Sequence, residues 1–407
     1  MTATSTASAA TATPPRTIPE IVAACEAMYF DLDFSPARAW KAAAEGRKVI
    51  GHLPVFAPRE VIHAAGALPL TVVGMGDWLE VIRGDAYYQS YLCHIPRSIV
   101  ELAVSGHLDF TDGMIFPSTC DVIRNLSGMW QMLKPGTMVR YVDVPQNFES
   151  EIGGRFWAHE MHALAEAVSA VTGVTVTNER LTDSIRLYDE NRAAVNEMYA
   201  LRRDDPERAP TSEVYLVLRA GNVLDVETHT RLCREYIAAA KASKRPVLDS
   251  ARVVVVGAFC EQPPLGLIKT IERSGCFIVD DDLLLHSRWY TKPVADMLGR
   301  TGGDPFQALA QTFVHHTIPT ATMYSPKSGR GQALLERVKA ARAEGVIFAA
   351  PSFCTPALLD QPMLVDALDR AKVPYTAFKY AENTGQFQPI REQTGTFADT
   401  MKLWSEA

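Results

Sequence analysis

Apolar and polar positions along the chain follow two different periods. Between about residues 47 and 145, short runs rich in β-branched residues alternate with stretches whose apolar positions recur at helical spacing. The first kind are RKVIGHL (47–53), LPLTVVG (68–74), GMIF (113–116) and MVRYVDV (138–144); the second are PREVIHAAGA (58–67), a run around IPRSIVELAVSG (95–106) and CDVIRNLSGMWQML (120–133). Glycine and proline punctuate the changes, and alternation of this kind predicts βαβ units and a mostly parallel sheet.

From about 155 to 245 the strand signal disappears. RFWAHEMHALAEAVSAVTG (155–173), TNERLTDSIRLYDENRAAVNEMYAL (177–201) and VETHTRLCREYIAAAKAS (226–243) are charged and amphipathic, with Thr177 or Asn178 able to cap the second and Thr228 near the start of the third. Beyond 251 the alternation returns. VVVVGAF, CFIVDD, GVIFAA and VPYTAF read as strands, and PLGLIKTIERSG, ALLERVKAARAEG and LLDQPMLVDALDRAK as helices. The expected fold is α/β: two Rossmann-like, parallel-sheet lobes with a helical segment between them. The expected divisions are a tail over 1–18, a first lobe over 19–150, the helical segment over 151–248 and a second lobe over 249–407.

Composition narrows the function. A chain of 407 residues, 47% of them apolar, can bury more than one core, and a net charge of −7 lacks the basic field of a general nucleic-acid binder. No apolar stretch approaches the roughly 20 residues a membrane helix needs. The opening MTATSTASAATATPP has neither the basic nor the long apolar region of a signal peptide, so a disordered tail and a cytoplasmic protein are expected.

The seven cysteines (25, 93, 120, 233, 260, 276 and 354) are odd in number, contain no CxxC pair and do not suggest a disulfide framework. Cys25, Cys233 and Cys276 sit inside helix or strand patterns and read as buried small hydrophobes. Two others share a turn: GMIFPSTCD (113–121) and GVIFAAPSFCT (345–355) each run from an apolar strand into Pro-Ser-x-Cys. In open α/β sheets ligands collect beyond the carboxyl ends of strands, and a thiol at a helix N-terminus is biased towards thiolate. Cys120 and Cys354 are therefore candidates to converge between the lobes. Cys93, just before a helix start near Pro96, is a candidate third. Three dispersed thiolates suit an iron–sulfur cluster with one open iron position better than a zinc knob.

The stretches GHLPVFAPREVIHAAGALPL, GDAYYQSYLCHIPRS, FPSTCDVIRNLSGMW and YVDVPQNF resemble the 2-hydroxyacyl-CoA dehydratase and benzoyl-CoA reductase family. The resemblance covers nearly the whole chain after the tail and is densest over 47–150. It is strongest to the smaller, C-type iron–sulfur subunits of ATP-dependent benzoyl-CoA reductases. It implies a [4Fe–4S] cluster on Cys93, Cys120 and Cys354, with Cys260 only a substitute ligand. It also implies single-electron reduction of an aromatic acyl-CoA thioester, with a radical anion delocalised from the thioester carbonyl into the ring. The implied partners are a paralogous iron–sulfur subunit, ATP-hydrolysing electron-activating subunits and reduced ferredoxin upstream. This chain itself has no G-x-x-x-x-G-K-[ST] loop for ATP. The same family contains ketyl-radical dehydratases, and a non-catalytic relay or assembly subunit is a third reading.

Further candidates surround these. His94, Arg97, Arg124 and Asn125 follow the two N-terminal cysteines and are read as orienting or charge-partner groups, against surface exposure for the histidine and a plain interlobe salt bridge for the others. SPKSGRGQ (325–332) offers Lys327 and Arg330 to the phosphates of coenzyme A, against a solvated turn. His52 sits near the inferred site. The His315–His316 pair reads as structural rather than proton-donating, and Glu382 as an acid without a spacing argument. VVGMGDWL (72–79) has Leu79 where a dinucleotide fingerprint needs its third glycine.

Overall fold

A computed structural model of the chain describes residues 16–75, 79–257, 262–286, 288–323, 329–381 and 387–405. Cys260, Lys327, Glu382 and the first fifteen residues of the expected tail lie outside them. The described strands form two sheets of four. β1 (Lys48–His52), β2 (Ala67–Thr71), β3 (Gly113–Pro117) and β4 (Met138–Val142) lie in the order β2-β1-β3-β4. β5 (Ala251–Val256), β6 (Cys276–Asp281), β7 (Gly345–Pro351) and β8 (Tyr375–Tyr380) repeat it as β6-β5-β7-β8. Every pairing is parallel, so the fold is the expected pair of Rossmann-like sheets. The strand order reverses between β1 and β3 and again between β5 and β7, which opens a crevice beyond the carboxyl ends of each pair.

In chain order the helices of the first half are α1 (Ile18–Tyr29), α2 (Ser35–Ala42), α3 (Arg59–Ala64), α4 (His94–Val104) and α5 (Asp121–Leu133). Between the sheets run α6 (Arg155–Thr172), α7 (Asn178–Asp204), α8 (Thr211–Ala220) and α9 (Val226–Ala242). The second half adds α10 (Leu265–Arg273), α11 (Ala295–Leu298), α12 (Pro305–His316), α13 (Arg330–Ala340), α14 (Thr355–Ala371) and α15 (Gln388–Ser405). The strands are apolar on both faces because both are covered. Val49, Met114 and Phe116 pack with Ile99 and Trp130 of α4 and α5, whereas Ile50 and Ile115 pack with Trp157 of α6 and Phe313 of α12.

Each half borrows from the other. After β6 the chain crosses over and lays Trp289, Phe306 and Phe313 against the first sheet. In return α1 puts Ile21 and Cys25 into the core of the second sheet, with Val253 and Ile347. The 27-residue α7, roughly 40 Å long at 1.5 Å per residue, ties both halves together. Its Thr177 cap accepts a hydrogen bond from the Arg180 N–H. Midway along it, Arg192 meets Glu60 of α3 at 2.5 Å; near its end, Arg202 meets Asp281 of β6 at 2.6 Å. Both pairs are buried. At Asp281 burial alone would raise the carboxyl, but the charges of Arg202 and Arg288 outweigh it and hold it at about 2.

A cluster of neutral imidazoles closes the seam between the halves, and glycine is required there. A Cβ on Gly221 would lie 2.4 Å from His286 Cε1 and 2.6 Å from His229 Nδ1. The backbone there is ordinary (φ −71°), so the objection is steric, not conformational. Gly221→Ala is expected to cost about 1–3 kcal/mol as an overpacked substitution, read as a lower urea midpoint with unchanged slope.

Candidate functional site

The three singled-out cysteines occupy one structural role. Cys93, Cys120 and Cys354 are the N-cap residues of α4, α5 and α14. Cys120 and Cys354 follow β3 and β7, the strands at equivalent places in the two sheets. All three line one cavity of about 400 Å³, together with Leu53, Pro54 and Val55 beyond β1. Leu92, Ile95, Pro96, Ile123 and Phe353 complete a mainly apolar wall, relieved by Thr119, Asp121 and Thr355. Ala350, Cys354 and Ala357 belong to the same apolar core as Ile50 and Ile115 of the first sheet, which brings the second half's thiol to the first half's cavity.

Local contacts fix the two turns. Before Cys93, the Ile82 and Gly84 N–H groups donate to Glu101 Oε2 at 2.9 and 2.8 Å, and the Ser105 hydroxyl donates to Oε1 at 3.0 Å. Burial works against this carboxylate, but those donors outweigh it and hold Glu101 below the usual range. Arg97 Nη1 adds an ion pair to Asp85 at 3.0 Å. Position 84 must be glycine, since a Cβ would lie 2.1 Å from the Arg97 carbonyl oxygen. Before Cys354, Phe353 takes the left-handed conformation (φ 68°), which reverses the chain at the mouth of the cavity.

The thiols differ in character. Burial pushes Cys120 up, while the N–H groups of Ile123 and Val122 at the start of α5 pull it down. Cys25, Cys233 and Cys276 lie in the core of the second sheet, where burial pushes each to about 12. Those three are inert packing, whereas the cavity thiols stand at helix N-termini whose positive ends favour anionic sulfur.

The donor set fits soft, sulfur-ligated iron. Among the described residues no three His, Cys, Asp or Glu side chains stand close enough together to hold a single metal ion. The three thiols stand apart around the wall of one cavity.

The remaining candidates fall elsewhere. His94 is buried as the first residue of α4 but does not line the cavity. Arg97 is committed to Asp85. Arg124 and Asn125 are exposed on the outer face of α5. Arg330 pairs with Asp360 at 2.7 Å and donates to the carbonyls of Thr320 and Met323, in a separate cavity of the second half. That commitment leaves it poorly placed to grip a phosphate. His315 hydrogen-bonds Ser150 at 2.8 Å in a surface pocket. His52 is fully buried beside the Thr71 hydroxyl. Sequence reasoning passed over Tyr88. Its hydroxyl is shut off from solvent and has no hydrogen-bond partner among the described residues, and its ring packs on the same core as Cys120.

Residues 54–401 match the family described as 2-hydroxyglutaryl-CoA dehydratase, D-component. The chain belongs to this family. Within the family, it is 54% identical over 387 residues to a benzoyl-CoA reductase subunit of Thauera aromatica, covering 95% of this chain and 99% of that protein. It is 26% identical over 356 residues to the (R)-phenyllactyl-CoA dehydratase beta subunit of Clostridium sporogenes (88% and 92% covered). It is 29% identical over 368 residues to the beta subunit of (R)-2-hydroxyglutaryl-CoA dehydratase of Acidaminococcus fermentans (89% and 94% covered). The two turns that carry Cys93 and Cys120, and the cavity they share with Cys354, all lie within the matched region.

Proposed function

We propose that this chain is a [4Fe–4S] subunit of an ATP-dependent benzoyl-CoA reductase, with Cys93, Cys120 and Cys354 as the protein ligands. The observation that carries the reading is the meeting of three helix-capping thiols, two from one half of the chain and one from the other, around one apolar cavity. The extent of the likeness to a benzoyl-CoA reductase subunit supports the choice of reaction.

When bound, the cluster supplies single electrons at very negative potential, which no side chain can provide. The chain's own contribution is to hold and insulate it. The N-termini of α4, α5 and α14 present N–H groups to negatively charged sulfur. Leu53, Val55, Ile95 and Ile123 give the cavity an apolar wall, which strengthens the charge interactions beside it. The Glu101 clamp and the left-handed Phe353 hold the cysteine turns on both sides.

The reading brings partners with it: a paralogous iron–sulfur subunit, ATP-hydrolysing subunits fed by reduced ferredoxin, and an aryl-CoA substrate. The relatives are each named as one subunit of a larger enzyme, which supports a heteromer. Among the described residues no helix is long and apolar enough to cross a membrane.

The test is anaerobic co-purification with the partner subunits, followed by assays with benzoyl-CoA and with a 2-hydroxyacyl-CoA. The expected result is ATP-dependent formation of a cyclic diene from the first. Loss of water from the second, with the aromatic ring of benzoyl-CoA untouched, would make the chain a dehydratase subunit like its 26–29% identical relatives.

A further inference from the structure

We infer that the Thr119 hydroxyl donates a hydrogen bond to sulfur of the centre held in the cysteine cavity, and so makes that centre easier to reduce. The inference rests on the cluster reading above and adds a residue to it.

Three observations single out this side chain. First, Thr119 lines the same cavity as Cys93, Cys120 and Cys354 and directly precedes Cys120. The residue is only 8% exposed, and its hydroxyl has no hydrogen-bond partner among the described residues. The oxygen is nevertheless not sealed, and the opening it lines is the cavity. A buried hydroxyl without an acceptor is costly, so its acceptor is to be sought in what the cavity holds.

Second, the neighbouring polar groups are otherwise provided for. Asp121 and Thr355, which also line the cavity, are exposed at its rim and have water to bond to. The Ser118 hydroxyl accepts from the Val144 N–H at 2.7 Å. Among the described residues Thr119 is the buried hydroxyl of this wall.

Third, the duplicated turn shows that the backbone does not call for a hydroxyl here. The Ser118 N–H donates to the Val142 carbonyl at 2.9 Å, and the Ser352 N–H donates to the Tyr380 carbonyl at 2.7 Å. Positions 119 and 353 therefore correspond, each between that serine and a cavity cysteine, and both line the cavity. The second copy carries phenylalanine, 52% exposed, where the first carries the buried threonine. One turn closes the mouth with an apolar ring, and the other turns a donor inward.

A threonine hydroxyl has one proton to donate, and anionic sulfur accepts it. A hydrogen bond to cluster sulfur favours the reduced, more negatively charged state, because the bond strengthens as charge on the sulfur grows. Thr119 then acts through the cluster, as a tuning and positioning residue.

The experiment uses the anaerobic complex with its cluster loaded. Wild type, Thr119→Val and Thr119→Ser are compared by iron content and by redox titration monitored by electron paramagnetic resonance. Valine keeps the branched shape and removes the donor; serine keeps the donor and removes a methyl group. The expected result is full iron in all three, with the reduction equilibrium constant lowered about tenfold in Thr119→Val, a shift of about 59 mV for one electron, and restored in Thr119→Ser. A role in packing alone predicts the reverse order, with valine tolerated and serine not. Full iron with an unchanged or raised potential in Thr119→Val overturns the inference and leaves the cluster reading standing. Should Thr119→Val not load iron, Thr119→Ala and Thr119→Ser, which differ by the hydroxyl alone, decide. Iron held by serine and lost or harder to reduce with alanine supports the bond; iron lost from both, or equal potentials in both, overturns it. The cluster reading itself fails on a different result, iron retained after all three ligand cysteines are replaced.

Discussion

Alanine at Cys93, Cys120 or Cys354 should strip most of the iron from the anaerobically purified protein, from roughly four per chain to well below one. Alanine at Cys25, Cys233 or Cys276 should leave it in place. The contrast follows from where the sulfurs stand. The first three cap helices and face a common cavity, so each removal takes away one of a small set of ligands. The other three are sealed in a core with their thiols pushed to about 12, out of reach of iron in the folded protein. Replacing one of these costs packing and lowers the unfolding midpoint instead. Activity should fall at least as far as the roughly 10–100-fold that follows loss of an outer partner of a metal ligand. Iron content, cluster absorption and thermal unfolding on the same preparations separate loss of the centre from loss of the fold. Stoichiometric iron in all three cavity variants would remove the ligand assignment and leave the iron centre to be sought elsewhere in the fold.

Much of the fold was legible along the chain, for a physical reason. Strands covered on both faces read as unbroken β-branched runs between glycine and proline, and all eight of the runs read as strands are strands. α8 and α12 were not legible. TSEVYLVLRA and PFQALAQTFVHH are buried on nearly every side, so they lack the polar stripe that marks a helix by its period. The crossing of α1 to the second sheet and of α12 to the first was hidden as well, because local periodicity reports that a face is buried and not what buries it.

The candidate site divides along the same line. Cys120 and Cys354 stood out because a duplicated fold duplicates its turns, and Cys93 stood out from a helix start. Arg124 and Asn125 were attractive through sequence proximity alone. The phase of α5 turns Ile123, Leu126 and Trp130 inward and carries these two to solvent. Tyr88 lies among three tyrosines within five residues, and nothing short of packing distinguishes it from Tyr87 and Tyr91.

The protein should also lose stability steeply on mild acidification, well before its carboxylates titrate. His52, His229 and His286 are buried at the seam between the halves. Their hydrogen bonds specify the neutral ring in His229 and His286 and are compatible with it in His52. His52 Nδ1–H donates to the Leu53 carbonyl at 2.8 Å and Nε2 accepts from Thr71. His229 Nε2–H donates to the Val217 carbonyl and Nδ1 accepts from Asn191. His286 Nε2–H donates to the Leu218 carbonyl, and Nδ1 accepts from the Arg59 guanidinium at 2.7 Å. A second proton would point at a group that can only donate on His229, where it meets the Asn191 amide nitrogen, and on His286, where it meets the Arg59 guanidinium; on His52 it would force the Thr71 hydroxyl to turn and accept. Burial, then the charge of Arg59, pushes His52 and His229 down to about 3. Burial, His229 and Arg59 push His286 further, and the opposing pull of Asp225 on His229 is weaker. The unfolded chain binds protons at these positions below its ordinary value of about 6.5, and the folded chain does not. Stability is therefore fully present above that pH and is lost as the pH falls from 6.5 towards 3. Between pH 7.5 and 5.5 each ring contributes a loss of about 1.4 kcal/mol, about 4 kcal/mol for the three, a large part of the 5–15 kcal/mol that holds a typical fold. Urea midpoints at pH 7.5, 6.5 and 5.5 measure the loss directly. A midpoint that did not move over this range would mean that the seam already takes up protons while folded, contrary to the bonds that specify its neutral state.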